Sequence, residues 1–90
     1  MSTDEGQLKF AVVSFLAAQS DGLISVSRVV NQLLALWATA HEMGAEVAAP
    51  LEILLAASTQ RNLVTKIELQ GVLDAVLAAA AARQTLVQTV

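Results

Sequence analysis

Ninety residues suit a single domain, and 56% of them are apolar, with 17 Ala, 14 Leu and 11 Val among them. Only 14% are charged, the net charge is −3, and there is no cysteine. That composition excludes intrinsic disorder, a disulfide framework, a cysteine-ligated metal and a thiol nucleophile.

The first six residues carry Asp4 and Glu5 and no base, the opposite of the positively charged start of a secretory signal. Asp4-Glu5-Gly6-Gln7 has the spacing of a capping box and predicts a first helix over 4–19. Ser20-Asp21-Gly22 breaks it, with Gly22 suited to the left-handed position after a helix. Ser25 is the expected N-cap of a second helix over 25–43. Its stripe of Val26, Val29, Val30, Leu33, Leu36, Trp37 and Ala40 follows the i, i+3, i+4, i+7 series, and Gly44 supplies the stop.

Pro50 predicts the first position of a third helix over 50–60, where its missing N–H costs nothing. Thr65-Lys66-Ile67-Glu68 fits the reciprocal capping box and opens a fourth helix over 65–83, with Leu69, Val72, Leu73, Val76, Leu77 and Ala80 on one face. The tail Gln84–Val90 is expected to fray. Gly71 interrupts this helix at a cost of ~1 kcal/mol, which a close helix crossing would explain. No long stretch alternates with period two. The expected fold class is all-α, a four-helix bundle of two helical hairpins in one domain over 1–90.

An offset of 40 residues aligns Phe15–Ala38 with Leu55–Ala78 and matches Ala17/Ala57, Leu23/Leu63, Leu33/Leu73, Ala35/Ala75 and Ala38/Ala78. Gly22 and Asn62, the residue types that tolerate left-handed backbone, coincide, as do Ile24 with Val64 and the N-caps Ser25 with Thr65. The alignment predicts two hairpins related by pseudo-symmetry.

The inventory for chemistry is small. His41 is the sole imidazole and, with Glu42 and Glu46, forms the one cluster of catalytic residue types. No nucleophile with an orienting base can be assembled around it, and His41 with Glu46 gives at most two metal ligands. The four glycines, at 6, 22, 44 and 71, are too scattered for a phosphate loop. The expectation is a protein that is not an enzyme and uses no cofactor. The longest apolar runs fall short of the ~20 residues that span a bilayer, so no membrane is expected and a cytoplasmic location is.

Two short segments resemble known families. Ser25-Val26-Ser27-Arg28-Val29-Val30-Asn31-Gln32 resembles the recognition helix of the lactose-repressor family. The resemblance implies a helix-turn-helix reading a major groove, with Ser27, Arg28 and Asn31 as DNA contacts. It covers eight residues, and five bases against eight acids do not supply the electrostatic footprint that DNA demands. Asp21-Gly22-Leu23-Ile24-Ser25 resembles the middle of an EF-hand loop, which implies paired helix–loop–helix units joined through Ile24 and Val64. The calcium ligands do not follow. With Gly22 at loop position six, Ala17, Gln19 and Arg28 occupy positions one, three and twelve, and in the second copy only Glu68 is right.

The surplus of apolar surface is the main functional clue. In the first helix Leu8, Val12, Phe15 and Leu16 form one stripe, yet Phe10, Val13 and Ala17 fall on the other side; in the third, Ile53 and Ala57 lie off the Leu51/Leu54/Leu55 face. Small domains cannot bury helices on all sides. Phe10, Val13, Ala17, Ile53 and Ala57 are therefore the expected interface of a homodimer, and the expected function is a helical protein–protein interaction module whose further partner the sequence does not specify. The alternatives are a small DNA-binding regulator and a carrier of an apolar small ligand lined by Phe15 and Trp37.

Overall fold

In the computed structural model the structure describes residues 3–89, with side chains described over 5–83 apart from Thr59. Four helices, α1 (Thr3–Ala17), α2 (Val26–Met43), α3 (Ala45–Arg61) and α4 (Lys66–Thr89), form the expected all-α bundle, joined by two three-residue strands, β1 (Leu23–Ser25) and β2 (Leu63–Thr65). The periodic apolar positions carry the core. Leu8, Leu33, Leu51, Leu69 and Leu73 are completely buried, and Val12, Val64 and Val76 nearly so. α1 and α3 each pack against both α2 and α4, so they stand on opposite corners of the bundle.

Two predicted boundaries move. The third helix begins at Ala45, and Pro50 lies inside it. Gly44 ends α2 and starts α3 in a single residue. Its N–H donates to the carbonyls of Ala40 and His41, and its own carbonyl accepts from Val47 and Ala48. Only glycine suits the backbone there, with φ 153°. Starting the helix early buries Val47 and Ala48 completely, which outweighs the ladder bond that Pro50 cannot donate to Glu46. The fourth helix continues through Gln84–Thr89 rather than stopping near Arg83, since no Gly or Pro interrupts it. The Asp4 capping box lies outside the described side chains.

The predicted pseudo-symmetry is present, and its axis passes between the strands. β1 and β2 pair antiparallel with Ile24 opposite Val64. Around that pair the hydrogen bonds repeat: Val26 N–H donates to the Asn62 carbonyl at 3.0 Å, and Lys66 N–H to the Gly22 carbonyl at 3.1 Å. Gly22 and Asn62 both take left-handed backbone, at φ 97° and 56°. From there onward the 40-residue offset holds: Leu33 and Leu73, Leu36 and Val76, Ala40 and Ala80 occupy equivalent buried positions. Before the turns it does not. In α1 and α3 the burial pattern coincides at an offset of 39, which pairs Leu8, Val12 and Phe15 with Val47, Leu51 and Leu54. Residues 18–22 separate α1 from β1 whereas Asn62 alone separates α3 from β2, so the first turn is the longer and the Ala17/Ala57 identity joins positions that are not equivalent.

The two equivalent helix starts are capped by different chemistry. At α4 the expected capping box forms: Glu68 N–H donates to Thr65 Oγ1 and Thr65 N–H donates to Glu68 Oε1, each at 3.1 Å. At α2, Ser25 makes no cap bond and its hydroxyl pairs with that of Ser27. The acceptor comes from the other hairpin instead, where Asn62 Oδ1 takes the Ser27 N–H at 3.1 Å. Asn62 can do so because its left-handed backbone ends α3 beside the start of α2. Gly71 is exposed, and a Cβ there would meet nothing within 4 Å. No helix crosses closely at that point.

Candidate interaction surfaces

α1 presents its Leu8/Val12/Phe15 stripe to the core, which by helical geometry turns Gly6, Phe10, Val13 and Ala17 outward. Phe10 is 74% exposed and Val13 55%, with Ala17 also exposed. On α3, Ile53 is 71% exposed and Ala57 lies in solvent beside it. All five residues expected at an interface are therefore accessible. They do not form one surface. Because α1 and α3 occupy opposite corners, Phe10, Val13 and Ala17 face one side of the molecule and Ile53 and Ala57 the other.

Between α1 and α2 runs a groove in two compartments. The first, about 360 Å³, is predominantly apolar and lined by Ala11, Ser14, Phe15 and Ala18 of α1 and its end and by Gln32, Ala35, Leu36 and Thr39 of α2. The Thr39 hydroxyl donates to the Ala35 carbonyl at 3.1 Å and so is satisfied within its own helix. The second, about 330 Å³, is polar and lies under the long turn, where Gln19, Ser20, Ser25, Arg28 and Gln32 contribute. Ala18 and Gln32 line both, so the two adjoin. The groove has a cause in the sequence. On the α1 side its wall is made of the small side chains Ala11, Ser14 and Ala18, and on the α2 side polar Gln32 stands where the equivalent position of α4 has the half-buried Val72.

The aromatic residues nominated for ligand lining separate. Phe15 is in the groove. Trp37 faces α3, where its indole N–H donates to Glu52 Oε1 at 2.9 Å and its ring lies 4.9 Å from that of His41. A ligand between the helices would meet the first and not the second.

Ser27, Arg28 and Asn31 are exposed near the start of α2. The segment before them is strand β1, pinned to β2, rather than the short turn of a helix-turn-helix. Three of the five bases are engaged in ion pairs: Arg61 with Glu68 at 3.3 Å, Lys66 with Asp21 at 3.7 Å, and Arg83 with Glu46. Among the described residues Lys9 and Arg28 make none. The paired helix–loop–helix arrangement implied by the EF-hand resemblance is present, but its loops are used otherwise. Positions one to five of the second loop are wound into α3. Glu68 is occupied as a cap, and the Thr65 amide and hydroxyl, with the Arg61 guanidinium, hold its carboxyl below the ordinary value of 4.5. No group of three or more His, Asp or Glu is placed to hold a metal among the described residues.

His41, Glu42 and Glu46 do not assemble a site. Glu46 turns to Arg83, and its own backbone amide followed by that guanidinium keeps its carboxyl below the ordinary value. Among the described residues no helix is long and apolar enough to cross a membrane. Comparison with protein families, curated proteins and solved structures returns no match.

The sequence reading missed three features. The groove depends on the register of α1 against α2, which the longer turn sets. The Asn62 cap acts between hairpins, so no local spacing reveals it. Exposed Leu23 and Leu63, at 69% and 44%, are outward positions of the strands, and the alternation in Leu-Ile-Ser and Leu-Val-Thr is the signal that could have found them.

Proposed function

We propose that this protein is a non-enzymatic helical interaction module that pairs with a second copy of itself through the outer face of α1. The observation that carries the proposal is the exposure of Phe10 and Val13 on one helical stripe with Gly6 and Ala17 and no charged residue. The stripe is complementary to itself. A twofold axis near Val13 sets antiparallel α1 helices together with Phe10 of each chain over the small Ala17 of the other, and an isologous contact of this kind closes at the dimer. The face of α3 offers one large apolar side chain, Ile53, and is the weaker half of the expected interface. Splitting the five residues between two faces limits the strength of either. Burying Phe10 and Val13 from each chain contributes ~1.5–3 kcal/mol per side chain, against ~4–15 kcal/mol for association, which places the pairing in the weak class.

DNA binding through Ser27, Arg28 and Asn31 has less support, because only Arg28 among them is a base and the chain is net acidic. Sedimentation equilibrium from ~10 to ~500 μM, the range suited to a weak interface, tests the pairing. The expected result is a concentration-dependent rise above 9.4 kDa, abolished by Val13→Glu and retained in Ile53→Glu. A monomer throughout the range overturns the proposal, and loss of association in Ile53→Glu alone transfers the interface to α3.

A further inference from the structure

The groove between α1 and α2 changes character along its length. Its apolar compartment is lined by Phe15 and Leu36 with Ala11, Ala18 and Ala35, and it adjoins the polar compartment lined by Arg28 across Ala18 and Gln32. Among the described residues Arg28 is the only charged one lining either compartment, it makes no ion pair, and no carboxylate lines the groove beside it. Eleven residues of α2 separate Thr39 at the apolar end from Arg28 at the polar end, a rise of ~16 Å. The two compartments are each of the size at which small-molecule sites begin.

We propose that this groove binds an amphipathic monocarboxylate, a medium-chain fatty acid, with its alkyl chain along Ala11, Phe15 and Leu36 and its carboxylate at Arg28. Each part of the ligand answers one observation. An alkyl chain covers the apolar wall that Ala11, Phe15, Ala35 and Leu36 leave open. A carboxylate matches the planar, two-pronged donor of a guanidinium better than a neutral head group does, while Ser20 and Gln32 at the same end offer further donors. An uncharged apolar ligand would leave the polar compartment unused, and a dianion would meet one cation in an acidic protein.

The test is a titration of the ¹⁵N-labelled protein with sodium decanoate below its micelle concentration, followed by amide chemical shifts, with decanol in parallel. The expected result is saturable shifts at Ala11, Ser14, Ala35 and Arg28, with decanoate binding about tenfold tighter than decanol, the scale of one hydrogen bond to a charged group. Arg28→Gln should remove that preference and leave the decanol affinity unchanged. Ala11→Leu, which fills the apolar compartment from its α1 wall, should abolish binding of both, and thermal melting verifies that this variant folds. Three results would overturn the proposal: no saturable shift, an Arg28→Gln variant that still prefers decanoate, or shifts confined to Phe10 and Val13 or to Ile53 and Ala57. Work at concentrations where the chain is monomeric separates this outcome from the fate of the dimer.

Discussion

Alanine substitutions at Thr65, Ser25 and Asn62 are predicted to affect stability unequally, although Thr65 and Ser25 are pseudo-equivalent. Thr65→Ala removes the acceptor of the Glu68 amide, 3.1 Å away, together with the hydroxyl that donates to Glu68 Oε1, and loss of such an N-cap costs ~0.5–2 kcal/mol. Ser25→Ala removes only an exposed bond to the Ser27 hydroxyl, so its cost should stay within the ~0.5 kcal/mol typical of surface changes. Asn62→Ala should be the worst of the three. It deletes the Oδ1 that caps α2, again ~0.5–2 kcal/mol, and sets alanine at φ 56°, where left-handed backbone costs ~1–2 kcal/mol more. Asn62→Gly loses the cap but is relieved of the backbone strain, so it should fall between Ser25→Ala and Asn62→Ala. Urea unfolding at pH 7 measures the series, and in a domain of this size each kcal/mol should also appear as ~4–8 °C in Tm. A Ser25→Ala variant as damaged as Thr65→Ala, or an Asn62→Ala variant close to wild type, would refute capping between the hairpins.

Acid should weaken the fold through Glu68 and Glu46. Both carboxyls are held below 4.5 in the folded chain, so their contribution is complete above that value and is lost as the pH falls through the depressed ones. Glu68→Gln keeps an acceptor for the Thr65 amide and should flatten the loss of urea midpoint between pH 5 and pH 3 (the window of this titration, approximately); an unchanged slope would contradict the assignment. Pro50→Ala should stabilise the protein by ~1–2 kcal/mol, because α3 would regain a ladder bond and lose a ring clash, less the entropy that proline removes from the unfolded chain. A neutral or destabilised variant would instead favour a helix that starts at Pro50.

Helix number, the core stripes of α2 and α4, and the Thr65–Glu68 cap were legible because each rests on residues within one or two turns of one another. Pro50 misled for a physical reason. Its preference for the first position of a helix is real, but the burial of Val47 and Ala48 on the preceding turn is a tertiary gain that no local signal carries. Gly71 misled in the opposite direction, since its cost suggested a crossing and the structure leaves it in solvent. The five residues expected at an interface could be read as exposed from helical periodicity alone. That they divide between two faces could not, because it depends on α1 and α3 standing on opposite corners.

The two hairpins share a plan, and the differences between them account for the surface features. The longer first turn, residues 18–22 against Asn62 alone, carries the polypeptide around Gln19–Asp21 beside the polar compartment, and Lys66 fastens that turn to α4 through the Gln19 carbonyl at 3.1 Å. In the second hairpin, Ser58 is fully buried and returns its hydroxyl to the Leu54 carbonyl. In the first, Ala11 leaves the space beside Phe15 open. A fold that needed only stability would gain from a leucine at position 11, since the added methyl groups would bury apolar surface at about 0.8 kcal/mol per methylene. Ala11→Leu thus joins two expectations in one variant: a higher melting temperature and an empty binding isotherm.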